Sequence, residues 1–166
     1  LLLSFENHCV PQVKYSYIYD NTRKEDDGKT RQYFALTLAE AGGVVDLITG
    51  FGETPQKKRM ILGQPFSQFL KGTIDFRNYH TIREKVVIAS RFYGGMIWAY
   101  GNSIVAPYSE QFFIGGANSL RGFGIRSIGP GYYKASDTPY SYLDRTGDIK
   151  LEANLELRFP IAGSFN

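Results

Sequence analysis

The chain has 166 residues, a length suited to one domain, with 19 basic and 16 acidic residues. A net charge of only +3, with the bases spread among the acids, excludes a nucleic-acid surface. Twelve Tyr, twelve Phe and 18 Gly, against two Met and one Trp, favour an all-β protein over a helical one.

No run of about 18 apolar residues occurs, so no transmembrane helix is predicted. A membrane β-barrel stays open, because its lipid-facing apolar and lumen-facing polar residues cancel in any hydropathy window. The start, Leu1-Leu2-Leu3-Ser4-Phe5-Glu6, is too short for a signal peptide and has no basic flank. With the strand-like close at Gly163-Ser164-Phe165-Asn166, it suggests an excerpt from a longer protein. Cys9 is the single cysteine, which rules out an internal disulfide.

Five long strands are predicted in chain order, at 11–19, 31–40, 67–78, 85–98 and 147–159. In the first, Val13, Tyr15, Tyr17 and Tyr19 share a face against Gln12, Lys14 and Ser16. That Tyr-rich face suits lipid and an interfacial girdle better than a ligand platform. In the second, Phe34, Leu36 and Leu38 alternate with Ala35, Thr37 and Ala39. In the third, Leu70, Ile74 and Phe76 oppose Lys71, Thr73, Asp75 and Arg77. In the fourth, Val86, Ile88, Phe92, Met96 and Trp98 oppose Lys85, Ala89, Arg91 and Tyr93.

The fifth gives the clearest pattern. Asp148, Lys150, Glu152, Asn154, Glu156 and Arg158 form one face, and Ile149, Leu151, Ala153, Leu155, Leu157 and Phe159 the other. Pro160 then ends the ladder. A strand of about 12 residues exceeds the usual 5–6 and suits the 9–11 needed to cross a bilayer. The links 20–30, which ends in the turn pair Asp27-Gly28, and 79–84 are short, while 41–66 and 99–146 are long. This alternation matches short periplasmic turns and long extracellular loops. Lipocalin-like barrels and large sandwiches also use long alternating strands.

The 99–146 link holds the densest motif: Gly115, Gly116, Ser119, Leu120, Arg121, Gly122 and Phe123, followed by Gly129-Pro130-Gly131. Glycines permit close backbone approach, so the segment can fold as a compact tongue carrying Arg121. A buried Arg needs a partner. From the residues alone, Arg121 can equally be an exposed turn residue, and Glu152 and Glu156 solvated charges.

Gly115-Gly116-x-x-Ser119-Leu120-Arg121-Gly122-Phe123, followed by the 147–160 block, resembles the signature of the outer-membrane assembly-factor superfamily of BamA and TamA. The resemblance runs over essentially the whole chain, and Pro107-Tyr108-Ser109-Glu110-Gln111-Phe112-Phe113 leans towards TamA. It implies that residues 1–166 are one incomplete domain of a barrel, 16-stranded in the full protein, in the outer membrane of a Gram-negative bacterium. It also implies that the 99–146 loop folds into the lumen, where Arg121 pairs with Glu156 or, second, Glu152. Assembly or translocation of nascent outer-membrane proteins follows as the implied function, with outer-membrane lipid and periplasmic accessory proteins as further partners. A two-partner-secretion pore, the barrel of a patatin-like lipase fusion and a passive pore are the alternatives.

Catalytic residues are not expected: no Ser-His-Asp arrangement or G-x-S-x-G elbow occurs. Nor is a cofactor, since the glycines miss G-x-G-x-x-G and no βαβ unit surrounds them. His8 and His80 stand apart from each other, so no metal site is predicted.

Overall fold

The computed structural model describes residues 9–22, 29–49, 60–61, 63–83, 86–129, 131 and 145–160. The predicted starting and closing segments, His8, the Asp27-Gly28 turn, Lys85 and Pro130 lie outside the described residues.

Among the described residues, seven strands and one helix are formed: β1 (Gln12–Asp20), β2 (Thr30–Ala41), α1 (Gly43–Thr49), β3 (Met60–Ile61), β4 (Gln64–Pro65), β5 (Phe69–Arg83), β6 (Val86–Ala99) and β7 (Ile149–Arg158). The five long strands make one sheet in the order β1-β2-β5-β6-β7, and every pairing in it is antiparallel. The fold is therefore all-β in character, an open antiparallel sheet among the described residues. β3 and β4 form a separate small hairpin.

Most strand ends differ from the sequence reading by one or two residues, β7 running over Ile149–Arg158 and not 147–159, and three differences are larger or change the reading. β5 runs on to Arg83, so most of the expected 79–84 link is strand. Tyr79, Thr81 and Ile82 favour extended backbone, and a bulge between Thr81 and Arg83 absorbs the irregularity near the turn. Ser67 and Gln68 precede β5 instead of belonging to it. Their side chains are buried, and Gln68 bonds across to the 100–103 turn. The 41–66 link, read as one long loop, holds α1 and the β3–β4 hairpin.

Register sorts the side chains into two unlike faces. On one, Phe34, Phe76, Phe92 and Ala153 form a row, and Leu36, Ile74, Gly94 and Leu151 the next. Leu38, Gly72, Met96 and Ile149 follow, with Tyr15, Tyr17 and Tyr19 extending these rows onto β1. On the other face, Ala35, Asp75, Tyr93 and Glu152 form one row, and Tyr33, Arg77, Arg91 and Asn154 its neighbour.

The usual rule of burial is reversed here. Leu151 and Leu155 on the apolar face are 69% and 77% exposed, while the charged side chains of Glu152 and Lys150 are only 11% and 14% exposed. A sheet folded for water would cover its leucines first. At about 3.3 Å per residue, β5 and β6 are close to 50 Å long, enough to cross a ~30 Å hydrocarbon core even when tilted. The core proper is small: Ala41, Phe69, Ile97, Ala106 and Phe112 cluster at the end of the sheet where the long links emerge.

Candidate functional site

The part of the charged face around Lys150 and Glu152 is covered by the chain's own glycine-rich loop, while Glu156 and Arg158 stay more exposed. Starting from β6, the loop crosses back over the sheet and is attached at a root and along its middle.

The root is a knob in a hole. Phe112 is 8% exposed and sits over Gly95 of β6. A Cβ added at Gly95 would lie 2.6 Å from the Phe112 ring, so no larger residue fits without displacing it. The Phe112 backbone exchanges two hydrogen bonds of 2.9 Å with Gly147, which fixes the ring's position. Lys71 lies 5.2 Å from the ring centroid and donates to the Glu110 carbonyl and carboxylate at 2.8 and 2.9 Å. Arg126 is stacked between Tyr108 and Phe113, 4.6 Å from each ring, and adopts a positive φ of 57°. A guanidinium between two aromatic faces gains from both quadrupoles.

The tongue itself is a hairpin-like excursion. Gly116 N–H donates to the Phe123 carbonyl at 2.9 Å and Arg126 N–H to the Ile114 carbonyl at 3.0 Å. Gly115 has φ of +107°, and an added Cβ would collide with the Gly124 carbonyl oxygen. Only glycine satisfies both constraints at this crossing. Further along, Arg145 donates to the Ser127 carbonyl.

The middle of the tongue rests on a charge cluster. Ser119 Oγ donates to Glu152 Oε2 at 2.6 Å. Lys150 Nζ lies 3.1 Å from the same oxygen, and Arg91 Nη1 lies 3.7 Å from Oε1. Arg91 also donates to the Asn118 carbonyl at 2.6 Å and pairs with Asp75 at 3.0 Å. Arg77 reaches the same Asp75 oxygen at 2.7 Å. Tyr93 lies beneath, with Arg91 and Lys150 5.5 and 5.2 Å from its ring.

Arg121 Nη2 is 3.9 Å from Glu156 Oε1, and its side chain is 76% exposed. Glu156 has a closer partner in Arg158, 2.8 Å away. Leu120 and Phe123 are exposed, Gly116 is half-buried, and Gly122 has open space around it. The loop motif, Glu152 and Glu156 thus fall in one region, with Ser119 and not Arg121 hydrogen-bonded to Glu152. Sequence reasoning did not single out Asp75, Arg91, Lys150, Gly95, Phe112 or Arg126 as site residues. The available signal was only that Asp75, Arg91 and Lys150 share the polar parity of their strands. Among the described residues no group of His, Cys, Asp and Glu is arranged to hold a metal ion.

Comparison with known proteins agrees with this architecture. The family model described as the Omp85 superfamily domain matches residues 56–166. A stretch of 62 residues is 37% identical to the outer membrane protein assembly factor BamA of Nitratidesulfovibrio vulgaris. That stretch is 37% of this chain and 8% of the relative, so the likeness spans a small part of that protein. No solved structure gives a significant match. The chain belongs to the Omp85 superfamily and is an outer-membrane protein of a Gram-negative bacterium.

Proposed function

We propose that this sheet is part of the wall of a closed transmembrane barrel, 16-stranded in the full protein, that inserts or translocates outer-membrane proteins. Its charged face then lines the lumen and its apolar face meets lipid. The carrying observation is the inversion itself: charged side chains lie under the chain's own loop while Leu151 and Leu155 are left bare. Open edges are not tolerated in lipid, so the five strands must pair onward with others.

In this reading the long links are extracellular and the short ones periplasmic. The 99–146 loop is the lumenal brace, and incoming strands would pair with a seam of the barrel by β-augmentation. The action is assembly and not bond-making chemistry, and nascent outer-membrane proteins are the substrate. Periplasmic accessory proteins are the further partners. The Pro107–Phe113 segment, which forms the root, keeps the narrower TamA-type role within the proposal.

The role proposed for Arg121 is to hold the tongue tip against Glu156, with Glu152 anchoring the tongue through Ser119. Its exposure and the 3.9 Å separation describe a pair that is readily exchanged with water. Arg121→Ala in the full-length protein is therefore expected to leave the barrel inserted and heat-modifiable on gels. The same variant is expected to lose most of its ability to complement a depletion strain. Complementation at the wild-type level would defeat the proposed role.

A further inference from the structure

Besides the sheet, α1 also presents a bare apolar surface. In α1, Val44, Leu47 and Ile48 stand at the i, i+3 and i+4 positions of a single stripe. They are 46%, 69% and 78% exposed.

The joint at the start of α1 shows which side of the sheet the helix springs from. Glu40 shares its row with Leu70 and Trp98, so it belongs to the apolar face. Its Oε1 accepts a 2.6 Å bond from the Gly43 N–H and another from the Tyr100 hydroxyl. Burial and the Glu40 carboxylate push the pKa of that hydroxyl up to about 12, so it remains a donor across the physiological range. The rim on the opposite face is already filled by Ala106 and Phe112 packed over Ala41, Phe69 and Ile97. The helix therefore starts on the apolar side, next to the Trp98 row, where Trp marks a membrane–water boundary.

We infer that α1 lies along the polar–apolar boundary of the bilayer, with Val44, Leu47 and Ile48 dipped among the acyl chains. The helix carries no basic residue in its last turn, so the contact rests on apolar burial and not on charge. A short stripe of three large aliphatics, set at the edge of a lipid-facing band, fits a lipid interface better than open water. This rests on the apolar face of the sheet meeting lipid.

The test is spin labelling of the full-length protein in phosphatidylcholine nanodiscs, with native cysteines replaced by serine. Labels go at Leu47→Cys and Ile48→Cys, with Leu151→Cys as the lipid reference and Gln64→Cys as the water reference. Collision with oxygen against a water-soluble nickel chelate is expected to place positions 47 and 48 about 5–10 Å into the boundary region, near Leu151 and unlike Gln64. Nickel accessibility equal to that at Gln64 overturns the proposal. Shielding from both reagents, as beneath a partner protein, overturns it too. A water-like result at Leu151 would instead remove the lipid-face reading on which it rests.

Discussion

Gly95→Leu is expected to lift the root of the 99–146 loop off the sheet, and Phe112→Ala in the same chain to restore it in part. The hole at Gly95 has no spare volume, since a Cβ there would already stand 2.6 and 2.7 Å from two ring carbons of Phe112. The ring cannot simply slide aside, because the Phe112 backbone is bonded in both directions to Gly147. Overpacking of this kind costs about 1–3 kcal/mol. Here the cost falls on one joint. Phe112→Ala alone creates a cavity, at the lower end of the roughly 3–5 kcal/mol seen for fully buried Phe. Filling the hole from the strand side while emptying it from the loop side makes the two changes compensate. A double-mutant cycle should show favourable coupling of about 0.5–3 kcal/mol, the range for residues in direct contact. Protease sensitivity of the loop in membranes reads the lift, and denaturant midpoints read the coupling. Strict additivity would show that Phe112 does not sit in the Gly95 hole.

The second large effect is expected at Glu152. Its carboxylate gathers Lys150, Arg91 and the Ser119 hydroxyl at 3.1, 3.7 and 2.6 Å, in a place where it is 11% exposed. Glu152→Ala removes the only acidic neighbour of Lys150 among the described residues, whereas Arg91 keeps Asp75. Ser119 loses its acceptor and Lys150 keeps only the 3.3 Å bond to the Ser119 hydroxyl, at a total cost of about 1–3 kcal/mol. Glu152→Gln keeps a carbonyl for Ser119 and loses only the charge, so its effect is expected to be the smaller. Hydrogen exchange at the amides of 116–123 should rise strongly in the Ala variant and modestly in the Gln variant. Equal and wild-type exchange in both would mean that the tongue is held elsewhere.

Much of the sheet was legible because alternation is local. The β7 pattern could be read from the chain alone, and the parity of Asp75, Arg77 and Arg91 was correct from their own strands. What joins them is register, a relation between strands that single-strand alternation does not contain. Asp75 meets Arg91 across a strand pair and Glu152 meets Ser119 across 33 positions, so neither contact leaves a local trace. The Phe112–Gly95 seat is similar: a glycine in a strand signals a close approach, but not by which residue.

α1 escaped notice for a different reason. Seven residues rich in Val, Ile and Thr have weak helical propensity, and the helix is fixed by its setting at Gly42, Gly43 and Glu40. Gly42 has φ of +80° and lies against Ser67 and Gln68, so the chain can turn there directly from strand to helix. The ends of β5 were missed because Tyr79 to Arg83 mixes strand formers with charges, as turns also do.

The central claim is that the tongue lies on the charged wall, inside the protein and not above it. Asn118→Cys and Asn154→Cys, which flank Arg91 and leave the Ser119–Glu152 anchor in place, test this in the full-length protein in intact cells with a short thiol-to-thiol cross-linker. The expected result is a cross-linked species of altered gel mobility, with the thiol at position 118 protected from a bulky, membrane-impermeant maleimide. Absence of the cross-link, with that thiol modified as fast as a surface-loop cysteine, would contradict it.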